Sequence, residues 1–205
     1  MIASLHHQPL LVVLRPEQPL QASQTLEELR RIGWRHVEIS WSPFSHWAEQ
    51  MASLQAAFPS LAIGAAGVVG RPAITAAIAA GCRYAVSPVL EPEALELAQR
   101  SGLVLVPGVM TPSEVQQARS LGCRLVKLFP ASLLGRDYWR QLRQPLGEPL
   151  PFCIAAGGLT PEQVEPWLQA GVDAVALGSS VASRAGVALR LGLDPLRHLL
   201  SARSH

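Results

Sequence analysis

The stretch Arg124-Leu-Val-Lys-Leu-Phe-Pro130 is a mostly apolar, partly β-branched run that ends in proline. This pattern predicts a buried parallel strand. Lys127, in its middle, is the single lysine of the chain, whereas arginine is used sixteen times. A buried ammonium is costly unless it is paired or loses its proton, and a desolvated amine with a lowered pKa is suited to forming an imine with a carbonyl compound. The alternative is a lysine at a strand end whose amine reaches solvent. The absence of other lysines and the residues around this one favour imine chemistry.

The rest of the chain repeats the same unit, an apolar run followed by a helical pattern, roughly every twenty to twenty-five residues. Seven further strands are predicted at 9–14, 36–40, 61–66, 84–88, 103–108, 152–156 and 174–178. The segment Thr111-Pro-Ser-Glu114 predicts a capping box at the start of a helix, and the tail from Ala185 onward has a helical, amphipathic pattern. Eight units predict an α/β fold, a (β/α)8 TIM barrel that forms a single domain over residues 1–205. The alternative, a doubly wound open sheet, lacks a GxGxxG segment after its first strand.

Composition excludes several classes of protein. The chain has 205 residues, of which 49% are hydrophobic and 16% charged, so a sizeable core is expected. A net charge of +2 with scattered arginines argues against nucleic-acid binding. No apolar run is long enough to span a membrane, and the first residues lack the charged start of a signal peptide. Three widely spaced cysteines indicate a reducing cytoplasm, and the histidine spacing does not suit a metal site. No metal or other cofactor is therefore expected.

Glu38 is the predicted partner of Lys127. It lies on the second strand and the lysine lies on the sixth, and side chains of even-numbered barrel strands meet in one layer if they point inward. By the alternation of strand residues, Glu38 shares its face with His36 and Ser40. A carboxylate that faces an imine-forming lysine can carry the protons that imine formation and cleavage require. A structural ion pair is the other interpretation of the same two residues.

Two glycine-containing loops follow the seventh and eighth strands. They read Ala156-Gly157-Gly158-Leu159-Thr160 and Gly178-Ser179-Ser180. Glycines let backbone N–H groups approach an oxyanion, and each loop can lead into the positive end of a helix. Loops at these two strands are where such barrels bind phosphate. The sequence therefore predicts a phosphorylated ligand.

Nearly the whole chain resembles the class I 2-keto-3-deoxy-6-phosphogluconate (KDPG) and 4-hydroxy-2-oxoglutarate (KHG) aldolases, including their phosphogalactonate branch. The matching segments are Val-Val-Leu-Arg-Pro at the first strand, Val37-Glu38-Ile39, Ile63-Gly64-Ala65-Ala66, Val86-Ser87-Pro88, Val106-Pro107-Gly108, Val126-Lys127-Leu128-Phe129-Pro130-Ala131, Gly157-Gly158-Leu159-Thr160-Pro161 and Leu177-Gly178-Ser179. The resemblance implies that Lys127 forms a Schiff base with pyruvate and that Glu38 is the general acid and base. It also implies a homotrimer.

The same resemblance assigns the substrate contacts. Arg15 is expected at the substrate mouth, near a carboxylate or hydroxyl, together with Pro88. Gly157, Gly158 and Ser179 are expected to hold the distal phosphate.

The sequence departs from the family pattern at two places. The third strand of the family usually ends in Gly-Ala-Gly-Thr, where the threonine helps to hold the pyruvyl carboxylate, but this chain has Gly64-Ala65-Ala66-Gly67. The loop after the second strand reads Trp41-Ser42-Pro43. Ser42 can offer a hydroxyl to the substrate, and Trp41 is expected to narrow the mouth. These changes bear on the choice of substrate more than on the reaction class.

The predicted function is cleavage of a 2-keto-3-deoxy-6-phospho sugar acid to pyruvate and glyceraldehyde 3-phosphate, or of 4-hydroxy-2-oxoglutarate to pyruvate and glyoxylate. The protein is thus predicted to be a cytoplasmic lyase whose partner is a small-molecule substrate. Two alternatives remain open: a phosphate-binding isomerase or synthase on the same barrel, and a non-catalytic descendant that binds a phosphorylated metabolite.

Overall fold

A computed structural model describes residues 1–178 and 196–200, without the side chain of Arg197. Its centre is a nine-stranded sheet in which neighbouring strands are parallel and whose order is β5-β4-β3-β2-β1-β9-β8-β7-β6. The strands are β1 (Leu10–Leu14), β2 (His36–Ser40), β3 (Ala62–Ala66), β4 (Tyr84–Val86), β5 (Val104–Val106), β6 (Gly108–Val109), β7 (Leu125–Leu128), β8 (Phe152–Ala156) and β9 (Ala174–Leu177). The sheet curls into a nearly closed barrel, which confirms the predicted (β/α)8 fold. The single-domain prediction covers the whole chain and stays a prediction.

The fifth predicted strand is divided in two, and this division joins the two ends of the sheet. Pro107 separates β5 from β6, because a proline has no N–H to donate to a ladder. Before it, β5 pairs with β4, and after it, β6 pairs with β7. The carbonyl of Pro107 accepts a hydrogen bond from the backbone N–H of Lys127 at 2.8 Å. One broken strand thus connects both sides of the barrel, next to the lysine.

Helices connect the strands on the outside. They are α1 (Ile2–His7), α2 (Ser23–Arg31), α3 (Trp47–Ala57), α4 (Gly70–Ala79), α5 (Pro92–Arg100), α6 (Pro112–Ser120), α7 (Ala131–Leu134), α8 (Tyr138–Leu146), α9 (Val164–Gln169) and α10 (Arg197–Leu200), with 3-10 helices at Pro19–Ala22 and Pro161–Gln163. The predicted capping box is present: Thr111 accepts from the N–H of Glu114, whose carboxylate accepts from the N–H of Thr111. The predicted tail helix lies outside the described residues except for α10. None of the described helices is both long and apolar enough to cross a membrane.

Two apolar clusters follow from the alternation of strand residues. The larger one lies between the sheet and the helices, and the smaller one fills the barrel. The barrel cluster contains Leu11 and Val13 of β1, Val86 of β4, Ile154 of β8 and Ala176 of β9. A packed interior of this kind leaves room for a site only at the carboxyl ends of the strands.

Helix α1 was not predicted from the sequence, and it covers the amino-terminal end of the barrel. Its Leu5 is fully buried in the barrel cluster. Gln8, which follows the helix, donates to the carbonyl of Gly33 at 2.9 Å and accepts from the N–H of Arg35 at 2.7 Å. Six residues with one buried leucine are too short to stand out as a helical pattern, so the packing on the barrel decides this element.

Candidate active site

Lys127 lies in the interior of the barrel. By alternation, Lys127 shares its face with Leu125, which belongs to the barrel cluster, and with Phe129, which packs against that cluster. Lys127 itself is 6% exposed. Its Nζ lies 4.9 Å from the centre of the Phe129 ring. Burial lowers the pKa of Lys127; the charge of Glu38 opposes this shift and that of Arg15 adds to it. A lowered pKa increases the fraction of free amine, which is the nucleophilic form.

Glu38 also points into the barrel and is 1% exposed. Burial raises the pKa of this carboxyl to about 7, against the opposing effects of Lys127 and Arg15. Among the described residues, its Oε2 atom is buried without a hydrogen-bond partner. A buried carboxylate oxygen without a partner costs free energy. A group with a pKa near neutrality can both give and accept a proton at physiological pH.

The two groups influence each other without forming a direct bond. Their charges shift each other's pKa, yet no hydrogen bond or ion pair within 4 Å joins them in the part of the chain that the structure describes. A closed structural ion pair would join the amine to the carboxylate directly. In the observed arrangement, Oε2 of Glu38 lacks the partner that such a pair would give it.

Arg15 marks the open end of the barrel above these groups. It immediately follows β1 and is exposed. Its positive charge reaches both Glu38 and Lys127, as their pKa shifts show. The structure thus places the predicted mouth residue near both buried groups.

Ser42, Gly67 and Pro88 follow neighbouring strands at the same end of the barrel. The Oγ atom of Ser42 is buried without a hydrogen-bond partner within the described ranges. Gly67 has a φ of +66°, and a Cβ atom there would meet no atom within 4 Å, so this position is open. Pro88 is half-buried. Its carbonyl lies so close to Gly108 that a side chain at position 108 would overlap the carbonyl.

Trp41 does not have the predicted orientation toward the mouth. It follows Ser40 at the end of β2, on the outward face by alternation. Its ring packs against the cluster between the sheet and the helices. The expectation that it narrows the mouth has no support from this placement.

The Gly157-Gly158 loop packs directly on the segment that follows Lys127. A Cβ atom on Gly157 would lie 2.9 Å from the Phe129 ring, and one on Gly158 would overlap Ser132. Their φ angles are +96° and +75°, which favour glycine. The loop is thus held beside the lysine strand. In the second loop, Ser179 lies outside the described residues.

Two further residues near the site were given no role from the sequence. Tyr84, at the start of β4, is buried in the barrel, and Glu38 is one of the charges that raise its pKa. His36, two residues before Glu38, is bonded through its ring nitrogens to Ser4 Oγ and the Leu10 carbonyl. Alternation could have placed both side chains inside the barrel, but their hydrogen-bond partners come from other strands and from α1.

The described residues of the site form no cluster of metal ligands. No group of three or more potential ligands occurs among the described histidines, cysteines and acidic residues.

Comparison with known proteins identifies the family of the chain. A family model for KDPG and KHG aldolase matches residues 1–189. The chain belongs to this aldolase family. It is 31% identical over 174 residues to the 2-dehydro-3-deoxy-6-phosphogalactonate aldolase of Escherichia coli strain K12, and the match covers 84% of each protein.

Solved structures extend the comparison. The chain is similar to a 4-hydroxy-2-oxoglutarate and 2-dehydro-3-deoxyphosphogluconate aldolase with a TM-score of 0.79, 29% identity and 98% coverage of both chains. It is also similar to a chain of a cube-shaped, porous protein cage designed by fusing symmetric oligomeric domains, with a TM-score of 0.81 and 26% identity. That match covers 94% of this chain and 72% of the other.

Proposed function

We propose that the protein is a class I aldolase that releases pyruvate from a 2-keto-3-deoxy-6-phospho sugar acid or from 4-hydroxy-2-oxoglutarate. The observation that carries the proposal is the pair of buried groups on β2 and β7. Lys127 has a lowered pKa, and Glu38 has a pKa near 7. An imine-forming amine beside a carboxyl that titrates at neutral pH is what this reaction requires.

In the proposed reaction, the free amine of Lys127 attacks the C2 carbonyl of the substrate. The carbinolamine loses water to give an iminium ion, which accepts the electrons of the breaking C3–C4 bond. Glu38 takes the proton of the C4 hydroxyl, directly or through a water molecule, and the aldehyde leaves. The resulting enamine is protonated at C3, and hydrolysis of the imine releases pyruvate and restores the lysine. The acid form of Glu38 supplies protons in these later steps.

The substrate contacts are proposed on the same basis. Arg15 provides positive charge at the mouth for a carboxylate or hydroxyl. The buried hydroxyl of Ser42, which has no partner among the described residues, is available to the pyruvyl end. Gly67 leaves space where the family has a threonine, and Pro88 lines the same end of the barrel. The backbone of Gly157 and Gly158, with Ser179, is proposed to hold the phosphate.

We also propose a symmetric homo-oligomer, a trimer as in the family. Exposed apolar side chains follow successive strands at the mouth end: Val69 after β3, Val89 after β4, Met110 after β6 and Leu133 in α7, the last being 77% exposed. A row of such side chains suits burial against a second copy. The similarity to a designed cage of fused symmetric oligomeric domains agrees with this.

A cytoplasmic location is proposed as well. The unpaired thiols of Cys82, Cys123 and Cys153 support a reducing cytoplasm.

The proposal is tested by a coupled assay for pyruvate release. Because the Escherichia coli relative is named for the phosphogalactonate substrate, 2-dehydro-3-deoxy-6-phosphogalactonate is assayed first, then its gluconate epimer and 4-hydroxy-2-oxoglutarate. Turnover of at least one, unchanged by EDTA because the iminium accepts the electrons, is the expected result. No pyruvate from any of the three, with ligand-induced thermal stabilisation, would instead indicate a binding protein.

A further inference from the structure

Tyr84 occupies an unusual position inside the barrel. It begins β4, is 4% exposed and reaches across β3 to β2. Its hydroxyl donates to the carbonyl of Val37 at 3.0 Å and lies 3.2 Å from the carbonyl of Ala62. Val37 is the residue before Glu38. The tyrosine therefore bonds to the peptide unit from which the Glu38 side chain extends.

The space for this ring is provided by Gly64. In the β2–β3 ladder, Gly64 is the register partner of Glu38. A Cβ atom on Gly64 would overlap three carbon atoms of the Tyr84 ring, so the ring occupies the place of the missing side chain. It consequently lies beside Glu38 in the barrel, and the charge of Glu38 adds to burial in raising the pKa of the phenol. Tyr84 stays neutral where the carboxyl titrates.

This arrangement has two effects on the carboxyl. The ring fills the place beside Glu38 that Gly64 leaves open, and burial is what raises the pKa of Glu38. The hydroxyl fixes the preceding carbonyl and thereby the direction of the side chain. A proton carrier must lie within hydrogen-bond reach of its substrate, so small displacements matter.

We propose that Tyr84 is a positioning residue for Glu38, whose ring keeps the carboxyl dry and whose hydroxyl holds its backbone in place. This rests on the proposed function of Glu38 as the proton carrier. Gly64 and Tyr84 act as a matched pair, because only glycine at position 64 leaves room for the ring.

The experiment compares Tyr84→Phe and Tyr84→Leu with the wild type. Tyr138→Phe is the matched control, since Tyr138 also donates its hydroxyl to a backbone carbonyl, that of Met110 at 2.8 Å, and is the only other tyrosine. The titration of Glu38 is followed by carboxyl carbon NMR, with its signal assigned by its loss in Glu38→Gln. Pyruvate release gives kcat and KM.

The leucine variant admits water to the carboxyl, so we expect the pH midpoint of the Glu38 titration to fall by about one pH unit. The phenylalanine variant keeps the ring but loses the hydroxyl, so we expect kcat to fall about fivefold at unchanged KM. Tyr138→Phe should match the wild type in both. An unchanged midpoint in Tyr84→Leu, or wild-type kcat in Tyr84→Phe, would overturn the proposal even if the melting temperature dropped.

If Tyr84→Leu does not fold, the phenylalanine variant decides alone. If the wild type releases no pyruvate, the proposed function fails, whereas the NMR titration still reports whether Tyr84 governs the carboxyl.

Discussion

Two polar residues on one face of β2 illustrate two ways of burying a titratable group. His36 lies nearer the amino-terminal end of the barrel, called here the lower level, and Glu38 lies nearer the carboxyl end, the upper level. Each is 1% exposed. The ring of His36 is bonded to Ser4 Oγ at 2.8 Å and to the Leu10 carbonyl at 3.3 Å. By contrast, Oε2 of Glu38 has no partner in the described part of the chain. Equal burial thus accompanies a fully bonded ring in His36 and an oxygen without a partner in Glu38, the residue for which we propose a chemical role.

The two levels also respond to pH in opposite directions. The pKa of Glu38 is raised from 4.5 to about 7, so the folded state binds its proton more tightly and loses stability as the pH rises between these values. The pKa of His36 is lowered from 6.5 to about 4, mainly by burial, so the folded state loses stability as the pH falls between these values. Their contributions therefore oppose each other between about pH 4.5 and 6.5.

The strongest test of the upper level is Lys127→Arg, which keeps the charge but removes the primary amine. We expect pyruvate release to fall about 10⁵-fold or below detection, because a guanidinium does not form the imine. Turnover in the assay measures this. The matched control is Arg124→Lys, which places a lysine at the exposed start of the same run. This variant should release pyruvate at the wild-type rate. The same change added to Lys127→Arg should not restore pyruvate release. A merely modest decrease in the arginine variant would show that pyruvate release does not depend on an imine at Lys127.

Glu38→Gln keeps the shape of the side chain and removes its titration. We expect kcat to fall 10²- to 10⁴-fold, the range typical of a general acid or base, and the pH dependence assigned to a group near pH 7 to disappear. Steady-state kinetics from pH 5 to 9 measure both. Glu96→Gln, at an exposed carboxylate, should behave as the wild type. If Glu38→Gln retained full activity with the same pH profile, the proton would have to be carried by another group.

Much of this comparison could be predicted from the sequence. Alternation puts Glu38 on one face with His36, and Lys127 on one face with Phe129, and the eight repeated units indicate the barrel that makes them meet. What alternation cannot show is which buried atoms find partners. Ser4 comes from α1, a helix too short to predict. The hydroxyl of Tyr84 reaches β2 only because Gly64 has no side chain. Pro107 stands inside the strand predicted at 103–108, but the break there was not predicted, and the strand partners on each side depend on barrel closure.

The lower level is tested through stability. We expect the wild type to lose up to about 3 kcal/mol of unfolding free energy from His36 as the pH falls from 6.5 to 4. His36→Gln, which cannot be protonated, should show a flatter profile in denaturant titrations over this range. Glu38→Gln supplies the opposite comparison, since it should flatten the decrease between pH 4.5 and 7. Parallel profiles for His36→Gln and the wild type would contradict the assignment.

The smallest expected effect is that of Ser4→Ala, which removes one hydrogen-bond partner of His36. We expect a loss of about 1 kcal/mol in unfolding free energy, with pyruvate release unchanged, because the lower level does not take part in the reaction. Denaturant titration and the assay measure the two quantities. Ser53→Ala, at an exposed serine on α3, serves as the control. Reduced turnover in folded Ser4→Ala would show that the two levels are coupled.

Imine formation at Lys127 is tested by borohydride reduction in the presence of pyruvate. Intact mass and a peptide map locate any adduct, and the only other primary amine of the protein chain is its amino terminus. We expect one reduced pyruvyl group, on Lys127, and none in Lys127→Arg. Absence of an adduct on folded protein at high pyruvate concentration, or an adduct at the amino terminus alone, would contradict it.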